Sequence, residues 1–130
     1  MKVSVTGSNG FIGNALTPFL NEMGHTITPI SLRKRTDVEQ KTLEPCDTII
    51  HLAALVHQMN GAPEQAYMES NYELTKALAD KAKASGAARF IFISTIKVYG
   101  ETQTSTLDED SPCHPDDAYG KSKFLAEEYL

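Results

Sequence analysis

Two groups of residues have the types and spacing to do chemistry. Tyr119 and Lys123 stand four apart, which puts both side chains on one face of a helix. A free phenol has a pKa of about 10 and is a poor base at neutral pH. A neighbouring ammonium favours the phenolate, so the pair suits proton transfer to and from a substrate hydroxyl. Ser94 and Thr95 close the apolar run ahead of this pair, and a hydroxyl there can hydrogen-bond the same substrate oxygen. The second group is Thr6-Gly7-Ser8-Asn9-Gly10-Phe11-Ile12-Gly13, directly behind Val3-Ser4-Val5. Gly7, Gly10 and Gly13 suit a tight turn, backbone approach to a pyrophosphate, and close packing of a helix on a strand. The amides and positive dipole end of the helix opening there would face phosphate. The pattern reads as a dinucleotide site, and a ligand-free glycine turn is its plainer alternative.

The elements that must hold these groups follow from periodicity. Lys2 to Thr6 reads as a first strand. Phe11 to Met23 reads as a helix with Phe11, Ile12, Ala15, Leu16, Phe19, Leu20 and Met23 on one buried face, Pro18 as a kink and Gly24 as its stop. Thr26 to Ser31 is a second strand that Pro29 moves to an edge. The charged stretch from Leu32 to Cys46 reads as loop with at most a short element. Thr48 to Leu52 is a continuous apolar strand of the kind buried in a parallel sheet. A loop over 53–62 carries His57, Gln58, Asn60 and Gly61. A helix then runs from Pro63 or Glu64 to Ser85, lined by Ala66, Met68, Leu74, Ala77, Leu78 and Ala82. Arg89 to Thr95 is a fourth strand, 96–115 a long loop, and Asp116 or Asp117 caps a last helix. Strands alternating with helices predict α/β: a Rossmann-type, doubly wound parallel sheet of about four strands in one domain, 1–130.

Bulk properties exclude several classes. The chain has 130 residues, 41% apolar and 22% charged, within the range of ordinary globular domains. A formal net charge of −5 argues against nucleic acid or an acidic membrane as partner. No apolar run approaches the about 20 residues of a membrane helix. Cys46 and Cys113 lack metal-type spacing and read as free thiols of a reducing, cytoplasmic compartment, with no metal site expected.

Four motifs in order, Thr6 to Gly13, His51-Leu52-Ala53-Ala54, Ile93-Ser94-Thr95-Ile96-Lys97-Val98-Tyr99-Gly100 and Tyr119-Gly120-Lys121-Ser122-Lys123, resemble the extended short-chain dehydrogenase/reductase family. Within it the chain most resembles the nucleotide-sugar epimerase and 4-keto-sugar reductase branch, of the UDP-glucose 4-epimerase type. The resemblance implies that Gly7, Asn9, Gly10, Phe11, Ile12 and Gly13 hold a pyrophosphate. It further implies that Leu52, Ala53 and Ala54 line the nicotinamide-ribose side and that Asn71 lies near the cofactor. Thr95 would be the hydroxyl partner, Tyr119 the acid/base, and Lys123 the residue that binds the nicotinamide ribose and lowers the tyrosine pKa. His51 reads as a buried strand-end histidine rather than a catalyst.

The chain departs from that family in three places. NAD-using members place an acid at the end of the second strand. Here Ser31 stands there, followed by Arg33, Lys34 and Arg35, so NADP is preferred to NAD, with Ser31 and Arg33 on the adenine-ribose side. The interval from Leu32 to Asp47 is too short for the usual extra strand and helix. A C-terminal segment that binds the nucleotide sugar is lacking, so the last helix should expose apolar surface. The expected function is nucleotide-sugar 4-epimerisation by transient C4 oxidation, with 4-keto-sugar reduction as the alternative and a homodimer as a possible assembly. Ile96-Lys97 in place of the dehydratase Asp-Glu pair argues against dehydration. A non-catalytic dinucleotide sensor is the reading from another class, opposed by the presence of both Tyr119 and Lys123.

Overall fold

The computed structural model describes residues 1–56, 61–101 and 106–130. The expectations for His57, Gln58 and Asn60, and for part of the 96–115 loop, lie outside the described residues. Alternation along β1 (Lys2–Thr6) sends Val3 and Val5 to one face of a sheet and Ser4 and Thr6 to the other. β2 (Thr26–Ile30), β3 (Thr48–His51) and β4 (Arg89–Phe92) join it as a parallel sheet in the order β2-β1-β3-β4. Pro29 lacks the N–H a central strand needs, and β2 is indeed an edge. Register aligns Thr6 with both Ile30 and His51, so the carboxyl ends of three strands finish level with one another. That level edge is where the first turn and the 52–55 segment meet.

Helices cover both faces. On one side α1 (Phe11–Glu22) lays Leu16 and Leu20 over Val3, Val5 and Ile50. Its buried stripe is narrower than the periodicity predicts, because α1 touches the sheet along one line only. Phe11, Ile12, Phe19 and Met23 remain exposed. Pro18 sits inside α1, which runs on without a break. On the other side α2 (Arg35–Gln40) and α4 (Leu74–Ala84) enclose Ile30, Leu32, Val38, Leu43, Ile49, Leu74, Leu78 and Ala82. The short 32–47 interval therefore holds six helical residues and no strand, the reduced unit its length predicts.

The helix expected from Pro63 or Glu64 onward is compound. α3 (Glu64–Tyr67) passes into a π-helical turn, Met68–Glu73, and then into α4. The wider turn changes which side chains face inward: Tyr67, Asn71 and Thr75 are buried along with Leu74 and Leu78. The loop after β4 contains one turn of 3-10 helix, Ile96–Tyr99. α5 (Ala118–Tyr129) packs on the π-helical turn and on 96–99 and leaves Leu125, Tyr129 and Leu130 exposed, as expected of the last helix. Ile91 and Ile93 of the β4 segment are also exposed, on the α1 side of the sheet but at the β4 edge, beyond the reach of α1. No helix among the described residues is long and apolar enough to cross a membrane.

Candidate active site

The glycine turn is built by close approach. Gly7 adopts φ +67°, a left-handed conformation that favours glycine, and a Cβ there would stand 2.8 Å from the Ala53 amide nitrogen. The Gly10 amide donates to the Gly7 carbonyl at 2.9 Å, closing the turn. A Cβ on Gly13 would run into the carbonyl oxygens of Gly7 and Ser8, so glycine there lets α1 start directly against the strand end. No side chain caps α1 and its first turn holds no acid, which leaves its leading amides to an anion. Phe11 is 97% exposed, so any part it plays with a phosphate runs through its backbone.

A cavity of about 400 Å³ opens on this turn, lined by Gly7, Ser8, Asn9 and Gly10 on one side and by Ser31, Leu32, Arg33 and Lys41 on the other. Ala53 belongs to its wall and to that of an adjoining cavity of about 290 Å³, which Ala54 and Leu55 also line. Gly7, Asn9, Gly10, Ser31, Arg33, Ala53 and Ala54 thus line two adjoining cavities. Leu52 is not among them, because its side chain packs into the core beneath α1. Lys41 escaped the sequence reading. It follows α2, and only the way that short helix returns toward the sheet brings it to the wall beside Arg33. The carboxylate of Asp37 is engaged elsewhere, accepting from the Arg33 and Lys34 amides at 2.7 and 2.9 Å, which hold its pKa below the usual range.

Tyr119 and Lys123 lie on α5, which packs on the 96–99 turn beyond the end of β4. Asp117 caps α5 by accepting from the Gly120 amide at 2.6 Å, and its second oxygen receives Lys97 Nζ at 2.8 Å. Lys97 also reaches Glu101 at 2.6 Å, and these carboxylates hold its pKa well above the ordinary lysine value. Gly120 permits the contact that follows, since a Cβ there would sit 2.7 Å from the Lys97 carbonyl. The first turn of α5 is thereby seated on the 96–99 turn, whose start is capped by Thr95 Oγ1 accepting from the Lys97 amide at 3.3 Å. Tyr119 is half-buried with its ring 6.1 Å from that of Tyr67.

Lys123, one turn further along α5, is 2% exposed. Its Nζ donates to the Ile93 carbonyl at 2.5 Å and stands 3.9 Å from the Phe92 ring centroid. Burial lowers its pKa to about 8, with Glu127 acting in the opposite sense. Lys123 therefore anchors α5 two residues before Thr95. Ser94 Oγ is buried and finds no hydrogen-bond partner among the described residues. Asn71 is neither an exposed helix asparagine nor a cavity-lining one. Its side chain binds both backbone groups of Leu55 and donates to Ser122 Oγ. His51 is buried at the strand end, as expected.

A parallel sheet carrying a glycine turn, a cavity at its carboxyl edge and a Tyr-x-x-x-Lys helix is the architecture of Rossmann-type oxidoreductases in the extended short-chain dehydrogenase/reductase class. Residues 3–130 match the model of the NAD dependent epimerase/dehydratase family, and the chain belongs to that family. UDP-glucose 4-epimerase of Vibrio cholerae is 34% identical, over 98% of this chain and 45% of that protein. A short-chain dehydrogenase/reductase superfamily protein of Agrobacterium tumefaciens, solved with NAD bound, is 29% identical with a TM-score of 0.84, covering 99% of this chain and 44% of that one. RMD of Pseudomonas aeruginosa, solved with NADPH, is 26% identical with a TM-score of 0.82, covering 98% of this chain and 47% of that one. The chain spans less than half the length of these curated relatives.

Proposed function

We propose that this chain is the cofactor-binding portion of an NAD(P)-dependent nucleotide-sugar 4-epimerase working through transient oxidation at C4. The observation that carries the reading is Lys123. A lysine with no carboxylate bonded to its ammonium among the described residues is costly to bury, and a purely structural position would be better served by an apolar side chain. A perturbed lysine one helical turn from a tyrosine, at the carboxyl edge of a parallel sheet, is what proton transfer to a sugar hydroxyl calls for.

The residues present fit a nicotinamide dinucleotide. The Gly7–Gly13 turn forms a cradle that a Cβ would fill, and the cavity beside it continues toward Ser31 and Arg33. When bound, such a cofactor supplies reversible hydride transfer at the sugar carbon. Tyr119 would take the proton from the C4 hydroxyl and give it back, Thr95 would hydrogen-bond the same oxygen, and Lys123 would favour the phenolate and, on turning from the Ile93 carbonyl, hold ribose hydroxyls. The Gly7, Asn9, Gly10 and Gly13 turn, with the leading amides of Phe11 and Ile12, takes the pyrophosphate. Ser31 with Arg33 and Lys41 supports NADP over NAD, because the lining of this cavity among the described residues holds two cations and no acid. The likeness to UDP-glucose 4-epimerase supports a nucleotide-linked hexose as substrate.

The test is NADH and NADPH titration followed by interconversion of UDP-glucose and UDP-galactose, in the longest natural form of the protein. Tyr119→Phe should lose at least about 100-fold in turnover while cofactor affinity changes by less than about threefold. Undiminished turnover would remove the acid/base role. Failure of the unsubstituted protein to interconvert the two sugars would overturn the epimerase reading.

A further inference from the structure

His51 is a buried titratable group that the proposed chemistry does not use. It is 1% exposed, and each ring nitrogen has a hydroxyl partner: Thr6 Oγ1 lies 2.6 Å from Nδ1 and Thr75 Oγ1 2.9 Å from Nε2. The proton positions in this cluster are fixed from both ends. Thr6 Oγ1 accepts from the Ala53 amide at 3.1 Å and from the Leu52 amide at 3.2 Å, the latter shared with the Thr6 carbonyl at 3.3 Å, which engages its lone pairs and leaves its O–H to donate. Nδ1 must then be the acceptor. At the far end Thr75 donates its own proton to the Asn71 carbonyl at 2.5 Å, so its oxygen accepts and Nε2 must carry the hydrogen. Two independent counts give the same tautomer.

We propose that His51 is a positioning residue: a neutral imidazole, protonated on Nε2 alone, closes a one-way hydrogen-bond chain from the Leu52 and Ala53 amides through Thr6 and Thr75 to Asn71. The chain starts at the wall of the cofactor cavity, which Ala53 lines, and ends on the π-helical turn. From there the Asn71 side chain returns to both backbone groups of Leu55 and to Ser122, whose hydroxyl donates to the Tyr119 carbonyl. The cofactor loop, the long helix and the tyrosine helix are tied through one ring. The opposite tautomer would point two hydrogens at each other between Thr6 and His51, and Thr6 could turn away only by releasing an amide of Leu52 or Ala53. Charging the ring would do the same. Burial, reinforced by the Lys123 ammonium, holds the His51 pKa down to about 3, and the Phe90 and Phe92 rings supply the apolar wall.

The role rests on the cofactor reading of the cavity, so the test has one arm independent of that reading. Nitrogen-15 NMR of histidine-labelled protein, with His51 assigned by its loss in His51→Asn, should show a bare Nδ1 and a protonated Nε2. An Nδ1–H ring or averaged tautomers would overturn the proposal. In the second arm, Thr75→Val removes the acceptor of the Nε2 hydrogen and so breaks the chain between His51 and Asn71, although Thr75 is buried and lines neither cavity. It should weaken NADPH and NADH binding about tenfold and shift the Nε2 resonance, which keeps its proton because Thr6 still donates to Nδ1 but loses the acceptor, and Thr75→Ser should restore both. Unchanged affinity in Thr75→Val overturns the positioning role. Should Thr75→Val not fold, Thr75→Ser and the tautomer of the unsubstituted protein decide it, since both must match the assigned pattern. Failure of the unsubstituted protein to bind either dinucleotide removes the cofactor reading and this role with it, and the tautomer result separates that outcome from a wrong proton assignment.

Discussion

Asn71 and Leu55 are joined as a backbone pair would be: the Asn71 side-chain Oδ1 accepts from the Leu55 amide at 2.7 Å and its Nδ2 donates to the Leu55 carbonyl at 2.9 Å. The side chain thus completes the hydrogen bonding of a segment that leaves the sheet edge with no strand to pair with. Asn71→Ala leaves the donor and the acceptor of Leu55 without a protein partner and takes a donor from Ser122. The expected loss is about 2–4 kcal/mol of unfolding free energy in a urea titration. A loss below about 0.5 kcal/mol would mean that water replaces the clamp.

Gly13 and Gly10 should respond differently to the same methyl group. A Cβ on Gly13 collides with backbone carbonyls that cannot move aside, whereas one on Gly10 meets only the Gly7 carbonyl at 3.1 Å. Gly13→Ala is expected to cost about 1–3 kcal/mol of stability and Gly10→Ala clearly less, compared by thermal unfolding. Gly10→Val should abolish dinucleotide binding with far-ultraviolet circular dichroism unchanged.

Arg33 and Lys41 share one cavity wall, although seven residues lie between them in the chain. Substituting either by Ala should raise the NADPH dissociation constant about tenfold and alter that for NADH less than about twofold. Equal effects on both cofactors would place the two cations away from the 2′ position.

Lys123 carries a pH signature whose sign follows from its depressed pKa. The unfolded chain keeps the proton up to about 10.5, whereas the folded chain releases it at about 8. Between these values the unfolded state binds more protons, so folding stability should rise as pH climbs from about 8 toward 10.5, with the full burial penalty present below 8. Lys123→Met should flatten that rise and stabilise the protein at pH 7 by about 1–3 kcal/mol. The same substitution should remove turnover. A stability profile of the unsubstituted protein that is flat across this window would show that the ammonium is not buried.

Local chemistry made much of the machinery readable before any fold was known. Glycine spacing announces a turn because only a missing Cβ tolerates the approach of Ala53 to Gly7 and of the Gly7 carbonyl to Gly13. Asp117 announces a helix start, Pro29 an edge strand, and Tyr119 with Lys123 one helical face, because each is a property of a few adjacent residues. Tertiary structure decided what depends on distant partners. Periodicity marked seven apolar positions on α1, but the line of contact with the sheet buries only Leu16 and Leu20 among them to any depth. The π-helical turn rotates Asn71 and Thr75 inward, which no propensity in 68–73 signals. Lys41 joins Arg33 in one cavity wall only through the path of α2, and the hydroxyl partners of His51 meet it only because residues 6, 51 and 75 converge. The physical reason is range. Backbone conformation, capping and helical facing are settled within about four residues, whereas burial, pKa and tautomer depend on the elements the fold brings alongside.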